Sequence, residues 1–551
     1  MAHDRMSAAG HENIARSFLH ASGRPPGAPA LRLGTETITH GELGASIAEA
    51  AALLFEHGVR AGDRVGVILP NVPQFAILYY AVLHAGAIAV PISTLLSSRE
   101  AEFCLEDAEA RLAFVWAEGG QQPPVASGTD TIAVEAESYH FPGTHEPQIA
   151  PRDGEDTAVI IYTSGTTGRP KGAQLTHRNL ARNAAAIIEA TGIDAATVAL
   201  GALPLSHSFG QTWLLNATLG AGGCVSLLER FSPDAAAETI GEHRVTFFAG
   251  VPTMFSQLLE APAGPADTAL ELCVSGGAPM PPPLMRAFEA RFHCEVREGY
   301  GLSETSPLVT LNPPGHDRRP GSVGPPIPGV EVKILDDQGR AAAAGELGEI
   351  LVSGHNIMKG YWNRPHETAE ALTADGWFHT GDLGYLDADG YLSIAGRKKD
   401  LIIRGGFNVY PREVEDVLLV HPAVAEAAVI GVPHPTLGEE VAAAVRLRAD
   451  AVCEVGELLA HAKQHLASYK YPRRIWTVER LPSGPTGKIL KRLIEIPAIP
   501  ARQEHGGAPD DIVSEPSRTP TTARREEANE HIRGDKPRHR RDSQGVPADH
   551  R

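Results

Sequence analysis

The sequence predicts an α/β protein built from a large N-terminal domain and a small C-terminal α+β domain. Three observations predict it. Through the first 390 or so residues, short apolar runs of strand length alternate with amphipathic helical patterns. From Val330 to Ala395 the runs shorten and are broken by Asp-Gly and Gly turns. After Gly396 a smaller α/β pattern starts afresh and fills about 100 residues, the size of a small domain. At 551 residues the chain is also too long for a single core.

The elements follow in order. Buried strands are expected at Val65–Leu69, Ala158–Tyr162, Cys224–Leu228 and Val245–Ala249, and helices at Glu42–His57, Thr176–Thr191 and Pro283–Phe292. Phe75 to Ile92 runs without a formal charge, near the length that spans a bilayer. It contains His84, Gly86 and Pro91, so it reads as a buried helix (Pro73–His84) turning into a short strand. The β region has runs at Val330–Leu335, Gly348–Ser353 and Tyr391–Ile394, with Asp387-Ala-Asp-Gly390 as a hairpin turn. In the C-terminal block, strands are expected at Asp400–Arg404, Val424–Gly431 and Glu440–Leu447. Helices are expected at Pro411–Leu419, with proline in its first turn, and Glu454–Leu466. Beyond Pro500 there is no Phe, Trp or Tyr, and ten basic side chains balance ten acidic ones. Such a tail cannot bury enough apolar surface to offset its ordering entropy, and is expected to be disordered. The expected domains are therefore 1–396, 397–499 and a charged tail, 500–551.

The net charge of −18 belongs to the folded body and argues against nucleic acid as a partner, since phosphate backbones need a basic footprint. Five scattered cysteines, with no C-x-x-C spacing, argue against a disulfide framework or zinc site and fit a reducing cytoplasm. The first twenty residues hold no apolar signal core, and no transmembrane segment is expected.

The densest motif is Tyr162-Thr-Ser-Gly-Thr-Thr-Gly-Arg-Pro-Lys-Gly172, between a strand and a helix. Its glycines let the backbone approach a ligand, while the hydroxyls of Thr163, Ser164, Thr166 and Thr167 and the charge of Lys171 suit phosphate. It lacks the glycine spacing and the Ser or Thr after lysine of the nucleotide-hydrolase loop.

With this loop the chain resembles the adenylate-forming superfamily: acyl-CoA synthetases, firefly luciferase and the adenylation domains of non-ribosomal peptide synthetases. The similarity runs from about Asn13 to Leu493 through separated motifs in the family's order. The resemblance implies ATP and Mg2+ as cofactors, with Thr163, Ser164, Gly165, Thr166, Thr167, Gly168 and Lys171 cradling the phosphates. Leu203-Pro-Leu-Ser-His207-Ser-Phe-Gly210 resembles the histidine motif, placing His207 and Phe209 at the acyl pocket. Where amino-acid-activating relatives carry an aspartate for the substrate ammonium, this chain has Ser208, which disfavours α-amino acids. Phe247-Phe-Ala-Gly-Val-Pro-Thr-Met254 resembles the pocket's strand and turn, with Phe248 and Gly250 in its lining.

Ser275-Gly-Gly-Ala-Pro279 and Glu298-Gly-Tyr-Gly-Leu-Ser-Glu304 resemble the adenine and magnesium motifs. They imply nucleotide contacts from Gly277, Ala278, Pro279, Glu298, Gly299, Tyr300, Gly301, Leu302 and Ser303, with Tyr300 stacked on adenine. They also imply acyl contacts from Ser275, Gly276 and Gly301. Glu304, with Thr163, is the implied magnesium ligand, a hard oxygen for a hard cation. Gly376-Trp-Phe-His-Thr-Gly-Asp382 resembles the ribose motif, and a carboxylate such as Asp382 can accept from two vicinal hydroxyls. Gly396-Arg-Lys-Lys-Asp400 resembles the domain junction, with Arg397 on the nucleotide and Lys399 at the hinge. Gly405-Gly-Phe-Asn-Val-Tyr-Pro411 resembles the loop that faces coenzyme A, where Gly406 leaves room for pantetheine; its wording is most like medium- and long-chain fatty-acid ligases. Leu481-Pro-Ser-Gly-Pro-Thr-Gly-Lys488 matches the catalytic-lysine loop. Lys488, Glu304 and His207 are the expected catalytic residues. The implied reaction activates a carboxylic acid, expected to be a medium- or long-chain fatty acid, as acyl-AMP and passes it to CoA. The same motifs also suit an aryl acid, or an acyl carrier protein as acceptor, and they leave the oligomeric state open.

Overall fold

The structure is a computed structural model. It describes residues 12–497 apart from 20–24, 119–125, 127, 137–138, 142, 144–147, 164–168, 262–267, 315–317, 320, 449–450 and 485–487. Two large sheets dominate. One has seven strands, in the order Gly360–Tyr361, Lys171–Thr176, Thr157–Thr163, Ile88–Pro91, Arg64–Ile68, Leu112–Trp116 and Asp130–Val134. The other has eight, in the order Leu308–Leu311, Glu295–Gly301, Leu272–Ser275, Phe247–Gly250, Val198–Gly201, Cys224–Leu227, Pro29–Leu33 and Glu36–Thr39. The inner strands of both run parallel, and crossover helices cover their faces, which is why they read as continuous apolar runs.

The helix Pro73–His84 has the bounds its sequence predicts. All twelve of its residues are buried, because it packs in the common core of the two sheets rather than on a surface. Among the described residues, no helix is long and apolar enough to cross a membrane. A four-stranded antiparallel sheet follows, made of Val330–Leu335, Gly348–Gly354, Phe378–Leu386 and Leu392–Arg397. The last two strands form the hairpin predicted at Asp387–Gly390, whose turn is closed by the Tyr391 and Asp389 N–H groups donating to Asp387 Oδ1.

From Ile402 the chain builds a fourth sheet around its own apolar core, which includes Ile402, Val409, Val414, Val429, Val441, Leu458 and Ile475. The helices Pro411–Val420 and Val455–His465 pack on it. The expected tail lies outside the described residues.

Candidate active site

The site forms where the strand ends of the two large sheets meet the four-stranded sheet and the Lys488 loop. Thr163 ends one strand and Lys171 begins its antiparallel partner, with the two residues directly opposite. Ser164, Gly165, Thr166, Thr167 and Gly168 connect them and lie outside the described residues. Thr163 Oγ1 donates to Glu304 Oε1 at 3.4 Å. The same oxygen accepts from the Tyr361 hydroxyl at 3.0 Å, and Lys171 Nζ stands 5.3 Å from the Tyr361 ring centre. Tyr361 was not singled out from the sequence. It lies on a two-residue strand far from any motif, and only the pairing of that strand with Lys171–Thr176 brings it to Glu304. One carboxylate and one hydroxyl are hard oxygen donors that suit Mg2+, which keeps waters and phosphates in its shell. Among the described residues, no group of three or more His, Cys, Asp or Glu is placed to hold a metal, so this is not a dedicated protein cage.

A second cluster surrounds Asp382, which is buried. Its Oδ1 pairs with Arg397 Nε at 2.9 Å and its Oδ2 accepts from the Tyr300 hydroxyl at 2.7 Å. Thr380 Oγ1 accepts from the Asp382 N–H at 3.0 Å. Burial, and then the Asp382 charge, hold the Tyr300 phenol well above its ordinary range. Asp382 and Arg397 are cross-strand partners in the hairpin, so register alone sets the pair. The Gly277–Met280 loop is tied to the same strand as Tyr300, because the Met280 N–H donates to Glu298 Oε1 at 3.0 Å. Burial raises the Glu298 carboxyl to about 7. Gly277 has φ +78°, a conformation that side chains rarely adopt. Ala278 and Pro279 continue this loop, while Gly299 lies in the strand opposite Leu311. Leu302 closes the strand's end with its N–H on Thr305 Oγ1 at 2.9 Å.

Lys488 faces the second cluster. Its loop is pinned by the Gly484 N–H donating to the Lys488 carbonyl at 2.8 Å and the Leu490 N–H donating to Pro482 at 2.8 Å. Around it stand Arg397, Asp382, Asp400 and Lys399. Burial, and next the Arg397 charge, bring Lys488 down to about 8. His207 is brought down to about 4 by burial and then by Lys488. Lys488 remains solvent-accessible and His207 half-buried, although protein surrounds both, as on the wall of a crevice. His207 Nδ1 accepts from the Phe209 N–H at 3.2 Å, which assigns the proton of the neutral ring to Nε2. Ser208 Oγ and Ser303 Oγ are 3.0 Å apart, joining the histidine motif to the Tyr300–Glu304 segment.

The residues expected to line one acyl pocket lie on opposite faces of the eight-stranded sheet. Phe209 stands over Gly276. Phe248 is fully buried against Phe255 and Phe288, with ring centres 4.8 and 6.5 Å away, on the side covered by Pro252–Glu260 and Pro282–Phe292. Gly250 lies under the Phe248 ring, and Ser275 shares that face by register; its buried hydroxyl finds no partner among the described residues. Phe248 is therefore core. At Gly301 a Cβ would sit 1.8 Å from the Pro307 carbonyl oxygen, so the close approach of that backbone by itself requires glycine there. Lys399 lies exposed on the turn Lys398–Asp400, and Gly405 and Gly406 turn the next hairpin at φ +57° and +84°, with open space beside Gly406.

Comparison with known proteins agrees with this architecture. Residues 18–362 match the model of the AMP-binding enzyme family, and residues 413–488 match the AMP-binding enzyme C-terminal domain. The chain belongs to this family, and its class is that of the acid–thiol ligases. It is 38% identical to the sulfoacetate–CoA ligase of Cupriavidus necator, over 85% of this chain and 92% of that one. It is 37% identical to the long-chain-fatty-acid–CoA ligase of Bacillus subtilis, over 80% and 87%. ATP-bound MatB from Rhodopseudomonas palustris superposes with a TM-score of 0.79 at 33% identity, over 88% of this chain and 98% of that one.

Proposed function

We propose that the protein uses ATP to convert a carboxylic acid to acyl-AMP and pyrophosphate, then transfers the acyl group to coenzyme A with release of AMP. The observation that carries this reading is the grouping of Asp382, Arg397 and Lys488, with Glu304 within electrostatic reach of Arg397 and bonded to Thr163. The names of the relatives, acid–CoA ligases of differing acids, support the acceptor. In the first step the substrate carboxylate attacks the α-phosphorus of ATP in line. Asp382 holds the ribose, and Arg397 and Lys488 supply the positive charge that a chain of net charge −18 otherwise lacks. Lys488 faces the charge that moves toward pyrophosphate, a role on the order of 10²–10³ in rate. Glu304 and Thr163 would hold magnesium, which when bound would supply charge neutralisation on the phosphates.

The neutral His207 and Ser208 leave no anion for a substrate ammonium, which supports an acid without an α-amino group. We place the body at 1–396 and the lid at 397–499. A rotation about Lys399 then withdraws Lys488 and presents the Gly405–Gly406 hairpin for attack by the CoA thiolate. All five cysteines are free, which supports a reducing compartment such as the cytoplasm.

Acid-dependent ATP–pyrophosphate exchange, followed by thiol-dependent AMP release, tests both halves. Exchange that is lost in Lys488→Ala and AMP release that requires CoA are expected. A protein that shows exchange but ignores CoA would not be an acyl-CoA synthetase.

A further inference from the structure

Thr163 and Lys171 stand opposite each other across an antiparallel strand pair, and the next pair inward is Tyr162 and Gly172. A Cβ on Gly172 would lie 3.3 Å from Cζ of Tyr162 and 3.5 Å from Cβ of Trp362, so both side chains lie over the glycine. Trp362 is tied there by its N–H, which donates to the Gly172 carbonyl at 2.7 Å. One carboxylate reaches both sides of this arrangement. Asp107 Oδ2 accepts from the Tyr162 hydroxyl at 2.9 Å, and Oδ1 pairs with Arg364, two residues beyond Trp362. Phe103, on the same helix as Asp107, meets the Tyr162 ring edge-on at 6.4 Å. The Asp107 side chain is only 10% exposed, so water does not compete freely for either bond. Asp107 ends the helix Ser98–Asp107, where a carboxylate faces the negative end of the helix dipole. That placement is unfavourable for the helix and is offset by the two partners the carboxylate holds. Burial, and then the Asp107 charge, keep the Tyr162 phenol well above its ordinary range, so it stays a donor.

We propose that Asp107 is a positioning residue for ATP, which sets the separation of Thr163 and Lys171 by bracing Tyr162 on one strand and the Trp362–Arg364 segment over the other. This rests on the adenylation reading above. On that reading Thr163 and Lys171 serve the pyrophosphate end of ATP, while Asp382 and Tyr300 serve its nucleoside end. Loss of the brace therefore acts on one end of the nucleotide only. AMP lacks the pyrophosphate end and reports on the rest of the site.

The test is calorimetric binding of ATP with magnesium, and of AMP, to the full chain in the wild type, Asp107→Ala, Asp107→Asn and Tyr162→Phe. Thermal melts confirm folding. Asp107→Ala should weaken ATP binding roughly tenfold and AMP binding less than about twofold. Asp107→Asn keeps an acceptor for Tyr162 but drops the charge beside Arg364, and should fall in between. Tyr162→Phe removes only the hydroxyl and should weaken ATP binding selectively as well. Adding Tyr162→Phe to Asp107→Ala should cost little more, because both break the same bond. Should Asp107→Ala fail to fold, Asp107→Asn and Tyr162→Phe decide. ATP affinity unchanged in the folded variants, or equal losses for ATP and AMP, overturns the positioning role and leaves adenylation standing. A wild type that binds neither nucleotide overturns the adenylation reading, and the positioning role with it.

Discussion

Lys488 is a cation placed where burial and Arg397 both work against its charge. A lysine brought down to about 8 is protonated below that pH and neutral above it. If its ammonium carries adenylation, kcat/KM for exchange falls as pH rises through about 8, since that parameter reports the free enzyme. Lys488→Ala should lower exchange by roughly 10²–10³ and erase this limb. Lys488→Arg should move the limb upward, because a guanidinium stays charged. A profile identical in wild type and Lys488→Arg would assign the limb to another group. Tyr300 offers a second test. Its phenylalanine variant keeps the ring and removes the 2.7 Å bond to Asp382. Hydrogen bonds to charged groups contribute about 1.5–3 kcal/mol. KM for ATP should therefore rise roughly tenfold or more, with the fold unchanged by circular dichroism.

Among the elements, the helix His177–Thr191 follows the strand Lys171–Thr176 and is held by a capping box, Thr176 to Asn179 and back. Thr176 is buried at this cap. Thr176→Ala should cost about 1 kcal/mol in chemical denaturation, and Thr176→Ser should recover most of it. Elements with one strong signal were legible in the sequence. Pro73–His84 is bounded by a proline at its start and by Ala85-Gly86 at its end, and both limits hold. Thr176 reads as helix from sequence because a cap and a first helical residue share the same apolar periodicity; the structure puts it one residue outside. Phe247–Gly250 was legible as a strand but not by face, since an uninterrupted apolar run carries no alternation to show which side meets the cleft. Asp382 and Arg397 were singled out from separate motifs, but their mutual bond depends on hairpin register, and the Tyr361–Glu304 contact, between residues 57 apart, depends on the pairing of Tyr361 with Ala173 across the sheet. Neither relation is local, so neither is written in a motif.

For the molecule as a whole, the block from Ile402 onward has its own apolar core, which is what a lid that turns as a body requires. Lys399 sits on a short 3₁₀ turn, where backbone φ is near the value that a proline ring fixes. Lys399→Pro should therefore accept the present arrangement and resist leaving it. Exchange is expected to stay close to wild type while CoA-dependent AMP release falls at least about tenfold. An equal loss in both half-reactions would mean that the turn does not act as a pivot.

Arg397, the cross-strand partner of Asp382, is two residues before Lys399 in the chain. In any rotation the path travelled grows with distance from the axle. On the proposed reading the nucleotide sits almost on the axle, whereas the Gly405–Gly406 hairpin and Lys488 ride farther out on the arm. The lid can then exchange one working face for the other while the freshly made acyl-AMP stays where it was formed, so a reactive intermediate need not be released and caught again.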